Sequence, residues 1–464
     1  MTRLVGLAAA VAVLVAAGAC DADAERAPSS PGRSGSTSQN AVGSTDGCRR
    51  SRVYPPPWPD RPRYRMRVTV RLDREMVGGV TRVRFTPDLA TDRLVFRLWP
   101  NAPVLAARGA NLDVGDVRTA GGVLEARVPD PTTLEVLLDE PLEPGDSVEV
   151  RLPWRLRLPR PSLERISRRG DAVHLGSFFP LLAWEPGIGW ARDPATSVLG
   201  ETAVSPVASF TVKVIAPRRL DVLASGTEIR PGTWRAPSMR DFALAVGPFD
   251  EASTTAHAPD EVDVTVGVTE GLGVSPERFA AKATGALETL ARRFGPYPWS
   301  SFNLAVMPDL GGSGIEYPAM VFQGDDSLSF ATTHEVAHMW FYGLVGSNPA
   351  RYPWLDEGLA TWSHATTEPD VLDRFLSLPI AGDARNLVGR PMTYWQRHEE
   401  SYFEGVYAQS AQALNELGPA RELDCALRQY VQRFAHRIAK PGDLIRILSD
   451  HFPAARQTLE RYGV

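Results

Sequence analysis

The sequence predicts an α+β multidomain protein in which an all-β region precedes a mainly helical region. Three observations support this prediction. The chain has 464 residues, enough for two or three domains with sizeable cores. Before about residue 250, apolar residues recur at every second position, which is typical of strands with one buried face. After about residue 252 they follow the period of 3.6 residues of an amphipathic helix.

The alternation defines the first region. Tyr64, Met66, Val68, Val70 and Leu72 alternate with polar residues, as expected of a half-buried strand. The pattern returns in segments that begin at Leu94, Val148, Phe210 and Phe242. We therefore expect residues 61–250 to form one sandwich-like all-β domain of two or more packed sheets.

The helical pattern begins with a clear start signal. Ser275-Pro276-Glu277 combines an N-cap residue, a proline at the first helical position and an acid in the first turn. The apolar stripe that follows ends at Gly295-Pro296. Further helices are predicted at about 329–343, from near residue 356, and at about 404–417. Residues 251–464 are therefore expected to form a second domain.

The N-terminus resembles an export signal. Arg3 is followed by a short apolar run and then by Ala17-Gly18-Ala19-Cys20, which is similar to the end of a bacterial lipobox. We predict a signal peptide at 1–20, lipid on Cys20 as a membrane anchor, and a flexible linker at 21–60 rich in Ser, Gly, Ala and Pro. The alternative is plain secretion with cleavage near Ala19.

Two cysteines remain if Cys20 carries lipid. Outside the cytoplasm Cys48 and Cys425 can pair and tie the N-terminal segment to the C-terminal helices, and two free thiols are the alternative. The net charge of −5 gives no reason to expect a nucleic-acid partner.

The stretch Thr333-His334-Glu335-Val336-Ala337-His338 carries the strongest chemical signal. On a helix, residues i and i+4 share a face, so the two histidines can bind one metal ion. Zinc takes nitrogen and carboxylate ligands, and Glu357, in the first turn of a later helix, can supply the third. Glu335 is placed beside the ligands as a general base. We therefore predict one Zn²⁺ per chain, bound by His334, His338 and Glu357.

A three-histidine zinc site is excluded by the residues after this stretch. It requires Gly at position 341 and His at position 344, where this chain has Phe341 and Leu344. Two helical histidines that bind no metal remain the alternative, and Glu357 within Asp356-Glu357-Gly358-Leu359-Ala360 argues against it.

Together, the HEVAH and DEGLA motifs and their spacing resemble those of the gluzincin zinc aminopeptidases, of the membrane alanyl aminopeptidase and leukotriene hydrolase type. Three further segments carry the resemblance: Gly295-Pro296-Tyr297-Pro298, Ser313–Pro318, and Gly405–Ala411. It covers roughly residues 60–460 and is strongest over 295–361. It implies a thermolysin-like catalytic domain at 251–464 and a short member of the family that lacks the C-terminal helical domain of many relatives.

The resemblance also implies roles for individual residues. Glu316 would hold the free α-ammonium group of a peptide, with Gly314 and Tyr317 beside it in contact with the substrate. Tyr407 would donate its hydroxyl to the oxyanion, and Tyr402 competes for that role. The family's segment has Asn after the glutamate, where this chain has Tyr317.

These residues predict a zinc metallopeptidase that releases N-terminal residues from peptides. Two alternatives remain. The chain is either a zinc endopeptidase acting on extracellular peptides, or a catalytically silent member that serves as a binding module.

Overall fold

A computed structural model describes residues 48, 53–198, 200 and 204–464. The predicted signal peptide, Cys20 and most of the predicted linker lie outside the described residues. Within the described part, no helix is long and apolar enough to cross a membrane.

The strands are numbered in chain order. They are β1 (Arg63–Arg71), β2 (Met76–Phe85), β3 (Thr91–Arg97), β4 (Asn111–Val114), β5 (Ala126–Asp130), β6 (Thr133–Leu142), β7 (Val148–Arg157), β8 (Ile166–Arg169), β9 (Ala172–Leu175), β10 (Leu181–Leu182), β11 (Trp184–Glu185), β12 (Gly189–Trp190), β13 (Ala208–Ile215), β14 (Asp221–Ala224), β15 (Thr227–Arg230), β16 (Thr233–Met239), β17 (Leu244–Gly247), β18 (Phe249–His257), β19 (Glu261–Thr269), β20 (Ser301–Val306), β21 (Gly314–Tyr317) and β22 (Met320–Gln323).

The first region contains a seven-stranded sheet of order β15-β16-β13-β1-β2-β7-β4. β1 pairs antiparallel with β2 and parallel with β13, so it lies in the middle of this sheet. Its even-numbered apolar residues from Tyr64 to Val70 are buried, which confirms the predicted alternation. Two four-stranded sheets, β10-β3-β6-β5 and β14-β17-β9-β8, and the hairpin β11-β12 complete the region.

Helices dominate the second region. A short helix, α1 (Pro103–Ala107), lies in the first region. The helices of the second region are α2 (Pro276–Phe294), α3 (Ala331–Ala337), α4 (Glu357–Ala365), α5 (Pro369–Ser377), α6 (Met392–Trp395), α7 (Gln409–Leu417), α8 (Ala420–Phe434), α9 (Pro441–His451) and α10 (Ala455–Arg461). The start signal of α2 is confirmed, because the Ser275 hydroxyl accepts a hydrogen bond from the Arg278 amide.

Two predicted helices differ from those observed. The helix expected at 329–343 is regular only over α3, because the hydrogen bonds after it change to an irregular pattern, such as Gly343 N to His338 O. The helix expected at 404–417 is α7 preceded by a π-helical turn, Phe403–Ala408. Single π turns inside helices often occur at functional sites.

A five-stranded sheet of order β18-β19-β20-β22-β21 accompanies these helices, and the sequence pattern did not predict it as a whole. β19, β20 and β22 run parallel to one another, β18 pairs antiparallel with β19, and β21 pairs antiparallel with β22 only. β21 therefore leaves one edge of its backbone unpaired, and this edge strand carries Gly314, Glu316 and Tyr317.

Cys48 forms a disulfide bond with Cys425 on α8, which resolves the two alternatives of the sequence in favour of pairing. The adjoining chain is held by the same region: Gln432 on α8 donates to the Val53 carbonyl oxygen at 2.9 Å, and the Tyr54 hydroxyl donates to the Pro296 carbonyl oxygen at 2.7 Å. The start of the described chain is thus fixed to the helical region.

Candidate metal centre

The two histidines of the helix α3 face the same point. His334 Nε2 and His338 Nε2 lie 3.1 Å apart. His338 is fully buried, while the His334 side chain is 12% exposed. Burial lowers the pKa of His334 to about 4, so its ring is neutral at pH 7, the state that binds a metal.

α4 brings the third predicted ligand to the same point. Glu357 Oε2 lies 3.2 Å from His334 Nε2 and 3.5 Å from His338 Nε2. Three ligand atoms at tetrahedral positions around zinc, about 2.0–2.2 Å from the ion, would lie about 3.3–3.5 Å from one another. The three observed separations match this triangle closely, so the residues present fit a zinc ion. Gly358 allows α4 to approach, because a Cβ there would lie 2.5 Å from the Ser410 side chain of α7.

Asp356 supports one of these ligands. Its Oδ1 lies 2.7 Å from His338 Nδ1, and both side chains are 1% exposed. Burial alone would lower the pKa of His338, but the charges of Asp356 and Glu316 and the hydrogen bonds to Asp356 and Glu357 together outweigh it and raise that pKa. The contact fixes a proton on Nδ1 and leaves Nε2 to bind the metal. Sequence reasoning missed this role, although an acid directly before the third ligand was a visible signal.

Glu335 lies within 4.8 Å of Glu316 and His338, measured between ligand atoms. Burial raises the pKa of Glu335 well above its usual value, and its Oε2 has no hydrogen-bond partner among the described residues. Gly314 of β21 makes room for this side chain, because a Cβ at residue 314 would lie 2.5 Å from Glu335 Cγ and Oε1. Gly314 therefore contacts the predicted base directly.

Glu316 also points toward the centre. The residue is 5% exposed, and its Oε1 accepts no hydrogen bond from any described residue. Arg165, from the loop before β8, places Nη2 3.9 Å from this oxygen. Sequence reasoning missed Arg165, because it lies 151 positions from Glu316 in the chain and belongs to the first region.

Tyr317 is not brought to the metal ligands. Successive residues of a strand point to opposite faces, so its side chain leaves the sheet opposite to Glu316. Tyr317 is fully buried, packs on Phe322 with 5.7 Å between ring centroids, and accepts a hydrogen bond from Arg165 Nη1 at 3.3 Å. It therefore contacts Arg165 rather than the centre.

Both tyrosines of the π-helical turn region lie at the site. The Tyr407 ring stacks on the His334 ring, with 5.8 Å between centroids and an interplanar angle of 21°. Burial raises the pKa of Tyr407 well above its usual value, and the charge of Glu357 raises it further, so the hydroxyl keeps its proton. Tyr402 packs edge-on against Tyr407 at 5.7 Å. The Tyr407 ring therefore contacts a predicted metal ligand directly, and the Tyr402 ring contacts the Tyr407 ring.

Comparisons with known proteins agree with this geometry. Aminopeptidase B of Mus musculus is 22% identical over 208 residues, which cover 39% of this chain and 32% of that protein. A leukotriene A-4 hydrolase homolog of Botryotinia fuckeliana is 29% identical over 180 residues, covering 37% and 24%. The chain thus spans about a third or less of the length of these curated relatives. No protein-family model matches it.

Solved structures match far more of the chain. An M1 zinc metallopeptidase variant from Deinococcus radiodurans, bound to the substrate Tyr-Ser-Ala, has a TM-score of 0.65 at 22% identity and covers 87% of this chain and 93% of its own. A two-domain M1 zinc metallopeptidase bound to L-arginine has a TM-score of 0.64 at 21% identity, covering 87% and 94%.

These matches confirm the resemblance to the gluzincin aminopeptidases. The predicted α+β architecture, an N-terminal part rich in sheets followed by a helical domain, is confirmed by the two-domain gluzincin fold. The ligand triangle of His334, His338 and Glu357 lies in the helical part of that fold.

Proposed function

We propose that this chain is a zinc aminopeptidase that releases the N-terminal residue of peptides. The observation that carries this proposal is the buried carboxylate of Glu316. It lies close to Glu335 and His338, and one of its oxygens accepts no hydrogen bond from the described residues. A buried carboxylate is stable when a cation meets it, and the free α-ammonium group of a peptide is such a cation. Binding of the N-terminus at Glu316 would then place the first peptide bond of the substrate at the metal centre.

Each residue of the site has a defined task in peptide hydrolysis. When bound, zinc polarises the peptide carbonyl and activates water at neutral pH. Glu335 Oε2, which has no partner, accepts a proton from the attacking water and returns it to the nitrogen of the leaving amine. The raised pKa of Glu335 makes it a stronger base than an exposed carboxylate. The Tyr407 hydroxyl donates to the carbonyl oxygen as negative charge develops there.

The edge strand β21 supplies the remaining contact. Its backbone is paired on one side only, and an extended peptide can add to such an edge by main-chain hydrogen bonds. This would place the peptide along Gly314–Glu316, with its N-terminus at Glu316. The Tyr-Ser-Ala substrate in the structure of the Deinococcus radiodurans metallopeptidase supports a free peptide as the substrate class.

Acetylation of the substrate amine tests this proposal. The zinc-loaded protein is expected to hydrolyse an alanyl anilide and to lose nearly all activity on the N-acetylated compound, because Glu316 then faces no ammonium group. Glu335→Gln should keep the zinc and lower turnover by about 10²–10⁴-fold, the usual contribution of a general base. Exposed Glu261 provides a control, since Glu261→Gln removes a carboxylate far from the ligands.

Other results would reject the proposal. Equal hydrolysis of the free and acetylated compounds would indicate an endopeptidase instead. Stoichiometric zinc with no hydrolysis of any peptide would indicate a binding module.

We also propose that the protein is exported and, through lipid on Cys20, anchored outside the cytoplasm. The disulfide between Cys48 and Cys425 supports export, because such bonds persist in oxidising compartments. Fractionation of cells that produce the full chain tests this: it should enter the membrane fraction, and Cys20→Ala should release it. Recovery of both forms in the cytoplasm would contradict the proposal.

A further inference from the structure

A cavity adjoins the candidate metal centre on the side of Glu316. It has a volume of about 30 Å³, and all its described lining residues belong to the first region. Two lining residues connect it with the site. Arg165 lies 3.9 Å from Glu316 Oε1, and a Cβ at Gly200 would lie 3.0 Å from the Tyr402 hydroxyl oxygen. Arg165 is therefore shared by the cavity and by the surroundings of Glu316.

Hydrogen-bond donors face this cavity without partners. Trp99 and Thr196, only 6% and 7% exposed, both line it. Trp99 Nε1 and Thr196 Oγ1 are buried and make no hydrogen bond with any described residue. A buried donor without a partner is unfavourable, so these atoms are placed to meet an acceptor. The Arg165 guanidinium adds a positive charge at the same cavity.

The surroundings increase this positive character. The Arg97 guanidinium carbon lies 4.7 Å from the centroid of the Trp99 ring. Among the described lining residues, Glu164 carries the one carboxyl group, and burial raises its pKa, which favours the protonated form. The Glu164 backbone oxygen already contacts His174 Nε2 at 2.7 Å. The cavity therefore offers donors and positive charge with little competing negative charge.

We propose that this cavity receives the carboxylate at the end of the side chain of the substrate's N-terminal residue and thereby selects that residue. This inference rests on the proposed aminopeptidase function. The α-ammonium group binds the Glu316 carboxylate, and the acidic side chain enters the cavity to meet Arg165, Trp99 Nε1 and Thr196 Oγ1. Arg165 and Glu316 lie 3.9 Å apart and carry opposite charges. These charges complement the side-chain carboxylate and the α-ammonium group of an N-terminal glutamate.

A panel of aminoacyl anilides tests the selection. The wild-type protein with zinc should hydrolyse the glutamyl compound with a kcat/KM about 10- to 100-fold above those of the alanyl, leucyl and lysyl compounds, because hydrogen bonds to a charged group discriminate by that factor. A lysyl or leucyl preference, or equal rates, would overturn the proposal.

Variants separate recognition from general damage to the site. Arg165→Met should lower the ratio of glutamyl to alanyl kcat/KM about 10- to 100-fold, and Trp99→Phe and Thr196→Val should each lower it severalfold. A merely structural role of Arg165 would lower both rates together and leave the ratio unchanged, which would contradict the inference. Arg168→Met is the matched control, because Arg168 pairs with exposed Glu75 and should change neither rate.

Binding of free amino acids distinguishes the failure of this inference from that of the proposed function. The zinc-loaded Glu335→Gln variant should bind L-glutamate at least tenfold more tightly than L-lysine in calorimetry. If alanyl anilide is hydrolysed but glutamate is not preferred, the function stands and only the selection is wrong. If no anilide is hydrolysed, the function fails, and equal binding of the two amino acids would then reject the selection as well.

Discussion

The two halves of the site are built in different ways. The metal-binding half uses α3 and α4, whose ligands His334 and Glu357 are 23 positions apart and lie 3.2 Å from each other. The other half joins Glu316 of an edge strand to Arg165 of the first region, with a separation of 3.9 Å and an unpartnered carboxylate oxygen. The first half brings three donor atoms into a triangle that fits zinc, whereas the second half has a buried carboxylate oxygen that accepts no hydrogen bond from the described residues.

This difference separates metal binding from substrate recognition. The residues that would hold the ion lie on two helices that follow each other in the chain, and the spacing of the two histidines depends on helix periodicity. Recognition depends on how the first region packs against the sheet that carries β21. We therefore expect substitutions in one half to leave the other half's property largely intact.

Loss of a predicted metal ligand should have the largest effect on activity. His338→Ala should abolish both zinc binding and hydrolysis, because two ligands cannot hold the ion with the geometry of the intact triangle. Metal analysis after dialysis is the measurement, with His436→Ala as the control, since His436 contacts the Pro55 carbonyl oxygen away from the site. Full zinc content in His338→Ala would show that His338 is not a ligand.

Loss of the proposed amine anchor should come next. Glu316→Gln removes the charge that faces the ammonium group, so kcat/KM for free-amine substrates should fall by about 10²–10³-fold, in line with removal of one partner of a buried charge pair. Zinc content should remain at the wild-type level. Loss of zinc together with activity would contradict the separation of metal binding from substrate recognition.

Gly314 connects the halves, because it lies on β21 and contacts Glu335 of α3. Gly314→Ala should displace the Glu335 carboxylate and reduce kcat by about 100-fold, since a shift of about 1 Å in a reacting group can cost that much. Gly312→Ala is the matched control, because a Cβ at residue 312 meets no atom within 4 Å. Equal activity of the two variants would mean that Glu335 adjusts freely.

The smallest expected effect concerns the support of a ligand. Asp356→Asn keeps the shape of the contact with His338 Nδ1 but removes its charge, so zinc affinity should fall about 10- to 100-fold. Competition with a chelator measures this affinity. An unchanged affinity would indicate that helix packing alone orients the His338 ring.

The local pattern predicted much of the fold. β1 and α2 lie where the alternation of apolar residues and the Ser275 cap predicted them. A strand with one buried face and an amphipathic helix each require apolar residues at a fixed spacing, which is visible in the sequence. The end of α3 was predicted about six residues too late, because the irregular hydrogen bonds after His338 depend on tertiary contacts. β21 pairs with the next strand, β22, in a local hairpin, but its position at the sheet edge depends on the pairing of β22 with β20 and of β20 with β19.

The sequence by itself indicated which residues can bind a metal, because i and i+4 on one helix and an acid at the start of a later helix specify candidate donor atoms. Only the tertiary structure decided that Cys48 pairs with Cys425, which face of β21 lies toward the ligands, and that Arg165 lies beside Glu316. The physical reason is that these contacts join segments far apart in the chain. Their proximity follows from the packing of sheets and helices and not from any local period.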